Sequence, residues 1–333
     1  DYHHYFYSTA VRTLFTMDIS VLATNLYELG YEIEVKNFTE IRFRETDYTG
    51  VFVLYTSQED PDLRYKNFIE DILLGLEQKG AIILPEFKYF RAHHNKVFME
   101  ILRDLSPLKN IQNITSRYFG TLEEYQEYGD DIALPAVIKP AAGAVSRGVS
   151  LLTLKNRILT VRKISASFVL LDAIKNLAKW ILRHPRPPRS LHRNKFVVQS
   201  FVNGLTGDYK VLVYGKNYYL LRRMNRKNDF RASGSGLFSW PEEENIGCLD
   251  FAKTIFDSMD VPFLSLDIGE KDDEFFLIEF QVVMFGTLTL EKAPFFWKKG
   301  STGWEKIREN VVLEKEFALA IHDYLVGRRP HDH

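Results

Sequence analysis

The stretch that most constrains what this chain can fold into is 261–286, two apolar runs separated by a tight charged turn. Residues 262–268 and 274–283 read as strands, with Lys271, Asp272 and Asp273 as the turn between them. Asp267, Glu279 and Gln281 interrupt the apolar pattern. Glu279 and Gln281 lie two apart, so on a strand both point to one face. A turn centred near Asp273 sets Asp267 opposite Glu279 across the antiparallel pair. Two carboxylates and an amide oxygen then converge, a hard-oxygen set suited to magnesium and bound phosphates. Carboxylates on a solvent-facing edge hairpin are the competing reading. Three polar groups in register within such apolar runs favour the metal site.

Bulk properties narrow the classes. A chain of 333 residues is long enough for two or three modules around sizeable cores. The formal net charge of -1 provides no overall field to recruit nucleic acid or an anionic membrane. The single cysteine, Cys248, excludes an intrachain disulfide and fits a reducing compartment; it reads as a packed or surface residue rather than a nucleophile. No stretch is apolar and long enough to span a bilayer, since the best candidate, 164–182, carries Asp172, Lys175 and Lys179. The first residues lack a methionine and a signal-peptide pattern, so a trimmed or incomplete N terminus and a soluble, cytoplasmic protein are expected. Asn37 and Asn113 match the glycosylation tripeptide, a pattern short enough to occur by accident.

Along the chain, 16–105 alternates helix-like and strand-like segments, which argues for a parallel-sheet α/β module. A helix ending at Gly30, a strand over 31–38, a buried strand over 50–56, and a helix capped by Asp60 with Pro61 in its first turn and closed by Gly80 are expected. A second buried strand at 81–85 comes next, then a helix over 94–105 with Asn95 as a candidate cap. From 110 to 195 the spacing predicts a short acidic helix at 121–128, strands at 135–139 and 149–154, and one long amphipathic helix over 159–183. The basic, proline-rich run 183–195 reads first as a stiff exposed connector and second as an anion or nucleic-acid contact. Strands dominate from Phe196 on, with a hairpin turn at Gly215, Lys216 and Asn217, a helix near 248–259, and a helical tail over 305–325 ended by Gly327.

Three further pieces carry chemistry. Lys139 ends a buried strand and is followed by the small-residue loop 141–148, whose Gly143, Ser146 and Gly148 let backbone amides approach phosphate oxygens. No P-loop pattern is present, and a solvated strand-end lysine is the competing reading. The run 196–202, broken by Gln199, reads as an edge strand whose backbone can hydrogen-bond a flat base. Asp208 and Lys210 alternate on the next strand. Arg222, Arg223, Arg226, Lys227 and Arg231 then cluster beside a glycine-rich turn, as suits a centre where charge develops on oxygen. Arg226 and Lys227 read as a solvated loop; Arg222 and Arg231 lean to function.

Taken in order, PAVIKP with its small loop, FVVQSFV, GDYKVLVYG, LLRRM with DFRASGSG, and LDI with LIEFQ resemble the ATP-grasp superfamily, and within it the ribosomal-protein-S6 glutamate ligase and glutathione synthetase-like branch. The likeness covers the chain from about Val51 onward. It implies an α/β (α+β) molecule of three parts: an N-terminal α/β module over 1–109, and two lobes of antiparallel sheet and helices over 110–197 and 198–333 that sandwich ATP. Carried over by position, Lys96 and Lys139 look like the nucleotide lysines, with Gly143, Ser146 and Gly148 in the phosphate loop. Gln199, Ser200, Phe201 and Val202 look like the adenine hinge. Asp208 falls on the ribose and substrate side and Arg231 at the transferred phosphoryl group, with Arg222 a further catalytic candidate and Lys210 a further ATP contact, and Asp267, Glu279 and Gln281 fall at magnesium (or manganese in its place). Two departures stand out: Gln281 replaces the usual asparagine ligand, and Ser233 the asparagine after the arginine–alanine pair.

The implied reaction joins a small-molecule carboxylic acid to an amine through an acyl phosphate, releasing ADP and phosphate. The alternatives are a kinase of the same fold acting on a small molecule, told apart by a stable phosphoester product, and a non-catalytic nucleotide-binding protein, which Gln281 favours. Nucleic-acid binding through 183–195 ranks lowest. Ser57, His93 and His94 are candidates to line the acceptor pocket, and a homodimer is the default assembly.

Overall fold

The computed structural model describes residues 17–57, 60, 63–143, 146–167, 189–227, 229–242 and 246–328, together with 173, 174, 178 and 181. Contacts divide the chain into two compact units, one built from the residues up to His93 and those from Leu205 onward, the other from 94–204.

In the first unit, helix α1 (Ile19–Glu28) is capped by the Asp18 carboxylate, which accepts from the Ser20 and Val21 amides. Gly30, at φ +90°, ends it as expected. Residues 31–37 form no strand; Ile33 and Val35 stay exposed, because no partner strand covers their alternating pattern. Strand β1 (Phe52–Leu54) pairs in parallel with β2 (Ile82–Leu84) through α2 (Arg64–Gln78). β1 is shorter than expected and half-exposed, since only one of its sides is paired. Asp60 caps α2 from a distance: its carboxylate accepts from the Tyr65 and Lys66 amides, while Leu63 turns into the helix at φ +55°. Pro61 lies outside the described residues. Helix α3 (Phe87–His93) completes this module.

The second unit starts with α4 (Lys96–Asp104), so the helix expected over 94–105 begins only at Lys96; the Asn95 side chain makes no cap bond. Strand β3 (Ser116–Phe119) leads to α5 (Leu122–Tyr128), where Thr121 and Glu124 form a reciprocal capping box. Strands β4 (Ala136–Pro140) and β5 (Ser150–Leu152), helix α6 (Arg157–Ser165) and strand β6 (Phe196–Ser200) complete the order. The long helix expected over 159–183 is broken, because Ala166 leaves the helical region at φ −57°, ψ +118°. Most of the span 168–188 lies outside the described residues. The sheet order is β3-β6-β4-β5, all antiparallel. Phe119, Tyr125, Ile138, Leu152, Val161 and Phe196 pack one face of it.

The first unit resumes with β7 (Gly207–Tyr214), β8 (Asn217–Met224) and β9 (Phe238–Ser239), then α7 (Ile246–Met259). The organising hairpin forms β10 (Phe263–Lys271) and β11 (Glu274–Gln281), turning at Asp272 and Asp273, both at positive φ. A short α8 (Leu288–Glu291), the pair β12 (Phe296–Lys299) and β13 (Trp304–Ile307), and α9 (Leu313–Arg328) close the unit. The helical tail expected from 305 is strand over its first residues, where Trp297 pairs with Lys306, and α9 runs on through Gly327. The main sheet runs β11-β10-β7-β8-β12-β13, with β9 added beside β8. An aromatic core of Tyr214, Tyr219, Phe263, Phe285 and Phe296 fills one end, with the Phe263 and Phe317 rings 4.1 Å apart. Among the described residues, no helix is long and apolar enough to cross a membrane.

Candidate functional site

The main sheet gathers its charges on one face, and strand register decides which ones. The two-residue turn at Gly215 and Lys216 pairs Tyr214 with Asn217, and counting back from it pairs Asp208 with Arg223. Across β7 and β10, Lys210 pairs with Asp267; across β10 and β11, Asp267 pairs with Glu279 and Ser265 with Gln281. Directly opposed residues share a face. Arg223 grips Asp208 with Nε to Oδ1 at 2.6 Å and Nη2 to Oδ2 at 2.9 Å. The same Nη2 lies 2.8 Å from Asp267 Oδ2, and Lys210 Nζ lies 3.0 Å from Asp267 Oδ1.

Their neighbours in this cluster set the protonation of Asp208, Arg223 and Asp267. Burial works to raise the Asp267 carboxyl, but Arg223 and then Lys210 outweigh it and hold it well below the usual carboxylate range. Burial dominates at Asp208, whose carboxyl sits above its usual range even though Arg223 opposes the shift. Arg223, facing both carboxylates, is held firmly in its charged form.

Beside this quartet, Gln281 Nε2 donates to Glu279 Oε1 at 3.2 Å. Asp267, Glu279 and Gln281 are therefore register neighbours, as the hairpin predicts. Among the described residues no group of three or more His, Cys, Asp or Glu is placed to hold a metal, and the Gln281 amide oxygen is the further oxygen donor that the hairpin brings beside the two carboxylates. The set is oxygen-only and fits a hard divalent cation in kind, which would share Asp267 with Lys210 and Arg223.

Arg222 and Arg231 stand apart from the quartet. Arg222 lies on the opposite face, its guanidinium 4.3 Å over the Tyr209 ring and its Nη2 donating to Thr206 Oγ1 at 3.2 Å. Arg231 is held by Asp229 through Nε and Nη2, both at 2.9 Å. Arg223, which the sequence leaves unassigned within the basic cluster, takes the central place. The signal was the hairpin itself, whose register makes Arg223, and not Arg222, the partner of Asp208.

The unit 94–204 holds the residues expected to bind the adenine and the phosphates. Lys96 opens α4, and its ammonium donates to the Gly143 carbonyl oxygen; its amide donates to Ala141 O at 2.8 Å. The small-residue loop is thereby tied to the start of that helix. Gly143, Ser146 and Gly148 all adopt positive φ, at +112°, +54° and +74°. A side chain at Gly148 would meet Pro140 Cγ at 3.0 Å. Lys139 is 4% exposed, which rules out the solvated strand-end reading.

Strand β6 is not an edge strand: β3 and β4 flank it on both sides and consume its backbone from Phe196 to Ser200. Ser200 N donates to Thr115 O at 2.9 Å. Of the expected hinge, only Phe201 and Val202 lie beyond the ladder, and the Gln199 side chain is turned to Glu100, a buried residue that sequence reasoning missed. Its only sequence signal is its place one helical turn after Lys96. Of the acceptor-pocket candidates, Ser57 and His93 meet at Lys66, whose ammonium lies 2.7 Å from Ser57 Oγ and 3.4 Å from His93 Nδ1. His94 is buried.

The architecture is the ATP-grasp fold. The D-cycloserine synthetase DcsG matches with a TM-score of 0.51 at 11% identity, over 92% of this chain and 94% of its own. A RimK domain ATP-grasp protein from Sphaerobacter thermophilus DSM 20745 matches at 0.50 and 11%, over 92% and 96%. N5-carboxyaminoimidazole ribonucleotide synthetase, in its ADP complex, matches at 0.51 and 13%, over 80% and 67%. By sequence, no protein-family model and no curated protein matches.

Proposed function

We propose that this chain is an ATP- and magnesium-dependent carboxylate–amine ligase. The observation that carries the reading is the lattice of Asp208, Lys210, Arg223 and Asp267, in register with Glu279 and Gln281, within an ATP-grasp fold. In this reading the unit 94–204 binds the nucleotide, with the backbone of Phe201 and Val202 meeting adenine. Lys96, Lys139 and the amides around Gly143, Ser146 and Gly148 meet the phosphates. Asp267, Glu279 and Gln281 would hold magnesium, which when bound neutralises charge on the phosphoryl group being transferred.

A carboxylate is a poor acyl donor because its leaving group would be oxide. Transfer of the γ-phosphoryl group gives an acyl phosphate, and attack by an amine releases phosphate. Arg223 and Lys210 supply fixed positive charge where oxygen charge develops. Arg231, held by Asp229, is the further cation this reading assigns to the transferred phosphoryl group. The substrates are a small carboxylic acid and an amine, and the protein's task is to position them and keep water from the intermediate.

The test is a thermal shift with ATP, with and without magnesium, on the wild type and Glu279→Gln, followed by phosphate release with pooled acids and amines. A magnesium-dependent rise in the wild type, lost in Glu279→Gln along with turnover, is expected. No shift with any nucleotide would overturn the reading. The double ion pair on Asp267 and the turn of the Gln281 amide toward Glu279 favour one rival, a nucleotide-binding protein without turnover. It predicts an ATP shift indifferent to Glu279→Gln and no phosphate release with any pool.

A further inference from the structure

Helix α4 presents Lys96 and Glu100 one turn apart on a single face. From that face Lys96 holds the Gly143 carbonyl oxygen of the small-residue loop. Glu100, with no exposed surface, reaches the sheet instead. Its Oε1 accepts from Gln199 Nε2 at 3.2 Å, and its Oε2 accepts from Ser116 Oγ at 2.8 Å. Arg103, also buried, places Nη1 3.4 Å from the same Oε2. Ser116 and Gln199 are directly opposed on β3 and β6. One carboxylate therefore joins two neighbouring strands to the helix that carries Lys96.

Burying a carboxylate is costly, and an apolar residue of similar size would pack α4 on the sheet at least as well. The carboxylate adds direction: charge-assisted hydrogen bonds fix a rotamer and a register that dispersion leaves loose. Gln199 lies two residues before Phe201, where the chain leaves the ladder. We infer that Glu100 is a positioning residue for base recognition, fixing through Gln199 where the 201–202 backbone sits relative to Lys96 and the phosphate loop. The inference rests on the nucleotide reading above and deepens it. A phosphate loop alone takes any nucleoside triphosphate, whereas a backbone edge held at a set distance from it selects a purine bearing a 6-amino group. Base preference, and not only affinity, then depends on a side chain that touches no part of the nucleotide.

Calorimetric titration of the full chain with ATP and with GTP, at fixed excess magnesium, tests this on the wild type, Glu100→Gln and Ser116→Ala. Glu100→Gln keeps the shape and loses the charge. It should weaken ATP binding by about tenfold, the scale of one hydrogen bond to a charged group, and leave GTP binding nearly unchanged, so that the preference collapses. Ser116→Ala keeps the carboxylate and its bond to Gln199, and should shift the preference in the same direction by less. An unchanged ATP-to-GTP ratio in folded Glu100→Gln overturns the inference, as does an equal loss for both nucleotides, which marks a purely structural role. If Glu100→Gln does not fold, an unchanged ratio in Ser116→Ala overturns it. A wild type that binds ATP and GTP equally also overturns it while leaving the ligase reading intact. A wild type that binds neither overturns the nucleotide reading itself, and this inference with it.

Discussion

On β8, successive side chains leave opposite faces of the sheet, so Arg223 joins Asp208 and Asp267 while Arg222 lies over Tyr209. The two arginines are indistinguishable by composition and local sequence, and parity alone separates them. Their removal should therefore differ. Arg223→Met strands the buried Asp208 carboxylate and leaves Asp267 with Lys210 alone, and losing one partner of a buried ion pair costs about 3–5 kcal/mol. Arg222→Met gives up a ring contact, a hydrogen bond to Thr206 and a long, 4.0 Å ion pair with the part-exposed Glu270 on the other face, and should cost about 1–2 kcal/mol. Urea unfolding of the two variants measures the difference; equal midpoints would show that the quartet contributes nothing special to stability. Nothing in the residue string marks Glu100 either, because its importance comes from the groups that Ser116 and Gln199 bring to it.

At the scale of elements, the hairpins were the most legible part of the chain. The pairing of Asp267 with Glu279 followed from alternation and a short turn, both local properties. Asp272 and Asp273 sit at φ +52° and +64°, where aspartate is tolerated and asparagine and glycine are favoured. The double substitution Asp272→Asn with Asp273→Gly should raise stability by about 0.5–1 kcal/mol without changing the register. A loss of stability in thermal unfolding would mean that the two carboxylates do more than turn the chain. The misread strands failed for one reason. Residues 31–37 alternate like a strand and β6 reads like an edge, but pairing is a property of neighbours. One segment found none, and the other found two. The tail failed similarly, since 304–307 became strand because β12 offered it an edge.

At the scale of the whole molecule, Cys248 lies fully buried in the unit that contains the main sheet. Burial, with Glu270 adding to it, pushes its thiol far above its usual pKa. Folded protein should therefore resist alkylation even near pH 9, where an exposed thiol is largely ionised. Labelling should appear only with global unfolding, so its denaturant dependence should track the loss of structure by circular dichroism. Rapid labelling under native conditions would show that α7 opens on its own.

The sequence by itself determined the local geometry: where the chain turns, which strands alternate, and that acids and an amide share a hairpin face. These properties come from backbone preferences and from periodicity within a few residues. Only the tertiary structure decided which charges meet. The partner of Asp208, the burial of Lys139, the closure of β6 on both sides and the tie from Glu100 to Gln199 depend on strands and helices distant in sequence. A side chain's electrostatic role is set by its surroundings in space, and spacing along the chain records only the part of that environment that is local.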